Sequence, residues 1–216
     1  MRLPEWVPES RWVRLGMQAA AVVLVVGLIA AGAWVWYQMQ ELRAQTVLAE
    51  ATILVQQAEG PQAAPDARDR AIKAIEAVLV DYPRLGTAPQ AAYQLGNLKY
   101  AARRYAEARG AYELALAKGA SGTVRGMAGM GIAYTWEAEK NYGNAVAAYE
   151  AVLKNLTPRD FLYEDALAGE ARAQELAGKP AVALELYQRL LREVPESRRA
   201  DELRNRIASL RSRPGQ

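Results

Sequence analysis

Tyr93-Gln94-Leu95-Gly96-Asn97-Leu98-Lys99-Tyr100, continued by Tyr105, Ala108, Tyr112 and Ala115, decides the fold. The pattern returns twice downstream. Met130-Gly131-Ile132-Ala133-Tyr134 is followed by Tyr142, Ala145, Tyr149 and Val152. Leu167 and Ala171 are followed by Gly178, Ala183, Tyr187, Leu190 and Pro195. Gly96 and Gly131 are 35 residues apart, Tyr112 and Tyr149 37, and Tyr149 and Tyr187 38. A weaker copy lies upstream in Ala71, Ile75, Val78 and Pro83. Each copy reads as two helical runs joined by a turn, at Arg103–Tyr105, Glu139–Gly143 or Gly178–Pro180. Gly96, Ala108 and Ala115 let a neighbouring helix approach closely, and Tyr112 fills the space between repeats. Pro83, Pro158 and Pro195 close second helices, because Pro disfavours helix at the residue before it. One helix pair cannot bury its own apolar face, so pairs stack into a solenoid.

The spacing resembles the tetratricopeptide repeat (TPR) family, whose pattern W-x2-L-G-x2-Y, then A, then A-x3-F, then P spans 34 residues. Residues 89–120 and 164–195 fit that frame without gaps, and 124–158 takes two extra residues near Lys140–Tyr142. The resemblance covers about 150 of the 216 residues. It implies an all-α chain: a right-handed TPR α-solenoid of about four helix pairs over residues 38–195, then a capping helix and tail over 196–216. Ser197–Arg211 opens on an N-cap Ser, sets Leu203, Ile207 and Leu210 at helical spacing, and carries five arginines outward. Glu41–Gln57 is the expected first helix of the weak copy, either separate from the membrane helix or continuous with it, and residues 60–65 (GPQAAP) are its loop.

The N-terminal region has another character. Arg14 and Glu41 bracket 26 residues without a formal charge. A helix over Leu15–Tyr37 is about 34 Å long, enough for about 30 Å of hydrocarbon. Trp12 stands at one end, and Trp34, Trp36 and Tyr37 at the other, where amphipathic rings prefer the headgroup level. Arg2, Arg11 and Arg14 precede the span and Arg43 follows it. The positive-inside rule then puts a tail over residues 1–14 in the cytoplasm, a membrane span over 15–37, and the remainder across the membrane. With no linker before the repeats, the solenoid is expected close to the membrane surface. A cleaved signal peptide is the competing reading, since Ala31-Gly32-Ala33 is a small-x-small site after an apolar run.

The chain has no Cys and no His. That removes thiol nucleophiles, imidazole bases, disulfides and the usual zinc ligands. Neither catalysis nor a cofactor is expected. The net charge of +3 divides 27 basic from 24 acidic residues. It collects in the termini and leaves a near-neutral body, without the basic stripe of a nucleic-acid protein. The 43 alanines suit close helix packing. Asp160, Glu164 and Asp165 read as acidic residues favoured in a helix's first turn rather than as a metal cluster.

In a TPR the first helix of each pair lines a groove. Carrying the family's groove positions over gives Gln90, Tyr93, Asn97 and Tyr100 in one copy, Arg125, Ala128, Ile132 and Trp136 in the next, and Asp165, Arg172 and Glu175 in the last. Aromatic and Arg side chains are common binding anchors, so a protein or peptide ligand is expected there. The Lys/Asn set that clamps terminal carboxylates in some TPRs is not present: Tyr93 and Gly129 occupy two of its positions. A short basic tail, one span, immediate TPRs and a cap resemble the bacterial inner-membrane family of ancillary Sec translocon subunits. That resemblance implies a periplasmic solenoid associated with the translocon and periplasmic chaperones. A periplasmic scaffold for cell division or the cell envelope, cleaved near Ala33, is the alternative.

Overall fold

A computed structural model describes residues 11–59, 66–83 and 85–212. The expected GPQAAP loop and most of the N-terminal tail lie outside the described residues. Among those described there are nine helices and no strand: α1 (Arg11–Glu59), α2 (Ala67–Asp81), α3 (Ala88–Ala101), α4 (Tyr105–Ala117), α5 (Gly122–Ala138), α6 (Tyr142–Leu153), α7 (Tyr163–Leu176), α8 (Pro180–Glu193) and α9 (Ala200–Ser212).

The chain divides into two units, the first ending at Thr46 and the second starting at Val47. The stretch from Glu41 is continuous with the apolar N-terminal helix, since α1 runs unbroken from Arg11 to Glu59. In the first unit α1 has an exposed apolar surface, and its most apolar 18-residue window has mean hydropathy 2.3 with none of it buried. Trp12, Trp34, Trp36 and Tyr37 are all exposed.

In the second unit α3/α4, α5/α6 and α7/α8 form hairpins that stack in chain order. Their turns are built alike. Arg103 (φ 59°), Lys140 (φ 59°) and Gly178 (φ 78°) are left-handed. The next N–H reaches back to the carbonyl five residues earlier: Arg104 to Lys99, Asn141 to Trp136, and Lys179 to Gln174, each at 2.9 Å. These bonds satisfy carbonyls that a helix end would otherwise leave unpaired.

The pairs meet through tyrosine rings. Tyr112 of α4 lies between Gly96 of α3 and Gly131 of α5, and Tyr149 of α6 lies against Gly169 of α7. A Cβ at Gly131 would come within 2.5 Å of Tyr112 Cζ, and one at Gly169 within 2.5 Å of Tyr149 Cζ. Both rings are almost wholly buried. The small residue is therefore a steric requirement of the inter-repeat contact.

Helix α9 closes the stack. Leu203, Ile207 and Leu210 join one core with Tyr163, Leu167, Tyr187 and Leu190. It starts at Ala200, three residues after the expected cap. Ser197 serves the preceding turn instead: its hydroxyl donates to Glu164 Oε1 at 2.5 Å and accepts from the Arg199 N–H at 3.0 Å. Pro83 and Pro195 each stand two residues beyond a helix end, but α6 ends at Leu153, well before Pro158.

The ring slot predicts opposite outcomes for two glycines. Gly131→Ala should lower the free energy of unfolding by about 1–3 kcal/mol through overpacking. Gly110→Ala, on α4 with nothing within 4 Å of its would-be Cβ, should be neutral or raise it by up to about 1 kcal/mol. Urea unfolding of the full chain in detergent micelles, followed by far-UV circular dichroism, measures both. Equal effects would contradict the slot.

Candidate functional site

The three left-handed turns supply the register of the repeats. Seven residues before them stand Gly96, Ala133 and Ala171; six before, Asn97, Tyr134 and Arg172; three before, Tyr100, Glu137 and Glu175. The second copy therefore does not carry its extra residues near Lys140–Tyr142. They sit at the start of α5, which has 17 residues against 14 in α3 and in α7.

This register separates the expected groove residues into two sets. Tyr93, Asn97 and Tyr100 of α3 fall in line with Tyr134 and Glu137 of α5 and with Arg172 and Glu175 of α7. The tyrosines nine residues after each turn, Tyr112 and Tyr149, reach residues of this face in both pairs. The Tyr112 hydroxyl donates to Asn97 Oδ1 at 2.8 Å, and its ring lies 5.9 Å from that of Tyr93. The Tyr149 hydroxyl donates to Glu137 Oε2 at 2.7 Å, and its ring meets that of Tyr134 edge-on at 6.1 Å. Gln90 is exposed near the start of α3, in register with Asp165. Arg125, Ile132 and Trp136 belong elsewhere. Arg125 and Ile132 line a cavity of about 570 Å³ with Leu116 of α4 and with Ala148, Ala151 and Val152 of α6. Trp136 lies beneath the Arg109 guanidinium of α4, 3.6 Å from ring centroid to Cζ. These three face the second helices and do not share the face of Tyr93 and Arg172. In their place the register brings Tyr134 and Glu137, which the sequence frame passed over.

The C-terminal part of the face is a ladder of forked ion pairs between successive first helices. Arg172 of α7 donates from Nε to Glu137 Oε1 at 3.0 Å and from Nη2 to Oε2 at 2.8 Å. Arg206 of α9 repeats this on Glu175 of α7, from Nε and Nη2, both at 2.8 Å. Arg199 Nη1 donates to Asp165 Oδ1 at 3.1 Å. Thus α9 takes the place of another first helix. A cavity of about 660 Å³ lies between α7 and α9, lined by Ala168, Arg172, Tyr187, Arg199, Arg206 and neighbours. Burial raises the Tyr149 hydroxyl far above its ordinary range, helped by the Glu137 carboxylate it bonds. It stays a neutral donor at any ordinary pH.

The acidic group has structural employment. Asp160 Oδ2 accepts from the Thr157 N–H at 2.6 Å and its hydroxyl at 2.7 Å, and these bonds lower the Asp160 pKa. Glu164 and Asp165 lie in the first turn of α7. Among the described residues no group of three or more acidic, His or Cys side chains could hold a metal ion.

No protein-family model and no curated protein matches the sequence. Solved structures do match. The Q17M variant of a Podosopora anserina protein with nearly identical TPR-like repeats, ascribed to the kinesin light chains, superposes with a TM-score of 0.58 at 16% identity, over 79% of this chain and 85% of that one. Another structure of that Podosopora protein gives 0.52 at 14% identity, over 82% and 98%. The MamA RS-1 ArsTM double mutant gives 0.57 at 15% identity, over 80% and 97%. At such identities the likeness shows the fold: a TPR-like helical solenoid.

A buried acid lies off the tyrosine–arginine face. Glu170 of α7 is 8% exposed. Burial, and secondly the Glu150 carboxylate of α6, raise its pKa to about 7, while Arg189 of α8 pulls it down. One turn on, the buried Gln174 Oε1 has no hydrogen-bond partner. An unfolded Glu titrates near about 4.3. The folded chain thus holds this proton more tightly than the unfolded chain, so the stabilisation is complete below pH about 4.3 and is lost as pH rises through about 7. Glu170→Gln should therefore be close to wild type in melting temperature at pH 4.5 and clearly more stable at pH 8. Thermal unfolding across that range measures the difference. A constant offset would refute the shifted acid.

Proposed function

We propose that this chain is a membrane-anchored protein whose TPR-like solenoid binds other proteins on the face formed by α3, α5, α7 and α9. The observation that carries the binding role is the row of tyrosines and arginines on that face. Tyr134 is 36% exposed, and the side chains of Arg172 and Arg206 are 41% and 45% exposed. Large aromatic and guanidinium groups left open on successive helices are the usual anchors of protein interfaces. Among the described residues no constellation for acid–base or nucleophilic catalysis accompanies them, and the reading put forward is a binding protein.

The anchoring role rests on α1. Residues 15–39 of its uncharged stretch are all exposed in the structure, and such a surface is stable only when covered by lipid or protein. The flanking arginines favour a cytoplasmic N-terminus and a solenoid on the far side of a bacterial inner membrane. There, by architecture, an ancillary or chaperone-linking role at the protein-export machinery is the preferred assignment, with Sec translocon subunits or periplasmic chaperones as partners. The cell-envelope scaffold reading needs cleavage after Ala33.

Two measurements test these proposals. A photo-crosslinking amino acid at position 134 should capture protein partners in living cells, whereas one at position 136 should capture none or far fewer, because Trp136 is covered by Arg109. Equal yields at both positions would overturn the assigned face, and capture without translocon subunits or chaperones would overturn the export role. N-terminal sequencing of the mature protein should recover the original start; a start at Trp34 would exclude the anchor.

A further inference from the structure

A second cavity lies off the tyrosine–arginine face, between α4 and α6, with α5 as its floor. Its volume of about 570 Å³ falls within the range of about 300–1,000 Å³ in which small ligands are held. Gly122, Arg125, Gly126, Gly129 and Ile132 recur at helical spacing on one side of α5 and form the floor. Leu116 of α4 stands on one side, and Ala148, Ala151 and Val152 of α6 on the other. Two of the glycines are steric requirements. A Cβ on Gly126 would come within 2.6 Å of Leu162 Cδ1, and one on Gly129 within 2.5 Å of Val152 Cγ2. The floor is therefore low, with α6 and the loop after it drawn against the α5 main chain.

Charge enters the cavity at one end only. Arg125 is the single charged residue among its described lining. It donates from Nε to Ala120 O at 3.1 Å and has no ion-pair partner among the described residues. The same end carries Lys118 and Lys154, the C-caps of α4 and α6. Residues 116–129 and 151–159 hold the cations Lys118, Arg125, Lys154 and Arg159 and no carboxylate. Asp160, the next acid along, is bonded to Thr157. Asn155, also at that end, donates to Ala151 O at 3.2 Å. Away from it the lining is Gly, Ala, Val and Ile. One turn beyond Ile132 stands Trp136, covered by Arg109.

These features select the ligand. An extended peptide needs partners for its main-chain N–H and C=O groups. The apolar stretch provides none, since its side chains lack polar atoms and its main chain is paired within α5 and α6. An alkyl chain has no such need. An anionic head gains from the cations at the charged end, where no carboxylate of those segments opposes it. We propose that the α4–α6 cavity holds a long-chain fatty acid, its alkyl chain over Gly126–Ile132 and its carboxylate at Arg125. The site lies apart from the protein-binding face and does not depend on it.

The test uses the full chain in lipid nanodiscs and palmitic acid carrying a diazirine on its chain. Photolysis expels nitrogen and leaves a carbene that inserts into a neighbouring C–H bond. Mass spectrometry of the digested chain then locates the adduct. Adducts should form within residues 116–132 and 148–156, and excess unlabelled palmitate should suppress them. Arg125→Gln and Ala148→Phe should each lower this labelling several-fold, the first by removing the cation and the second by filling the cavity. Labelling of α1 reports on the anchor separately: adducts on α1 alone would overturn the cavity site and leave the anchor standing. Labelling that excess palmitate does not suppress would overturn the site, as would wild-type labelling in both variants. Equal labelling by the diazirine analogue of hexadecanol would overturn the pairing of a carboxylate with Arg125. Stronger, saturable labelling by a diazirine-bearing phosphatidylglycerol would give the cavity to a phospholipid chain and overturn the free acid.

Discussion

The stack depends on one contact: a tyrosine ring from the second helix of a pair, laid against a glycine of the next pair's first helix. Tyr112 makes it with Gly131, and Tyr149 with Gly169. The ring is too large to be covered by its own hairpin, so burying it requires a neighbour. The neighbour can come close only where it lacks a Cβ. The same two side chains then serve the exposed face, because each hydroxyl emerges beside a polar residue there, Asn97 for Tyr112 and Glu137 for Tyr149. The packing that orders the repeats thus also orders the groups that face a partner.

The fold was legible because its requirements are steric and recur. A glycine or alanine stands wherever a helix must approach, a tyrosine wherever a gap must be filled, and the spacing of 35–38 residues exposes the repeat. Even the cap was readable, since Leu203, Ile207 and Leu210 must face a core while five arginines cannot. The continuous α1 was less so, because nothing in the sequence between Tyr37 and Glu59 forbids a break or requires one.

The face was read only in part, and the reason is local. Its register follows from the left-handed residue in each turn. In the last pair that residue is Gly178, the type expected at such a position. In the two earlier pairs it is Arg103 and Lys140, which carry no such mark. Without it, Gly131 aligned naturally with Gly96, although the structure pairs Ala133 with Gly96 and gives Gly131 the separate task of receiving Tyr112. A displacement of two residues exchanged Tyr134 for Ile132, and one of a single residue exchanged Glu137 for Trp136. On a helix these are rotations of about 200° and about 100°, so a small error in spacing carried both side chains off the face. Tyr93, Asn97, Tyr100 and Arg172 escaped because their pairs align without gaps.

The forked pairs also bear on the mechanics of the second unit. Glu137–Arg172 and Glu175–Arg206 tie α5 to α7 and α7 to α9 across one face, like rungs joined in series. A load that opens that face must pull two bidentate bonds apart before those helices separate. Between α3 and α5 the aligned residues are Tyr100 and Tyr134, and no ion pair spans them among the described residues. On this face, then, resistance to opening comes from bidentate ion pairs between α5 and α9, and from ring packing between α3 and α5, where Tyr112 sits against Gly96 and Gly131.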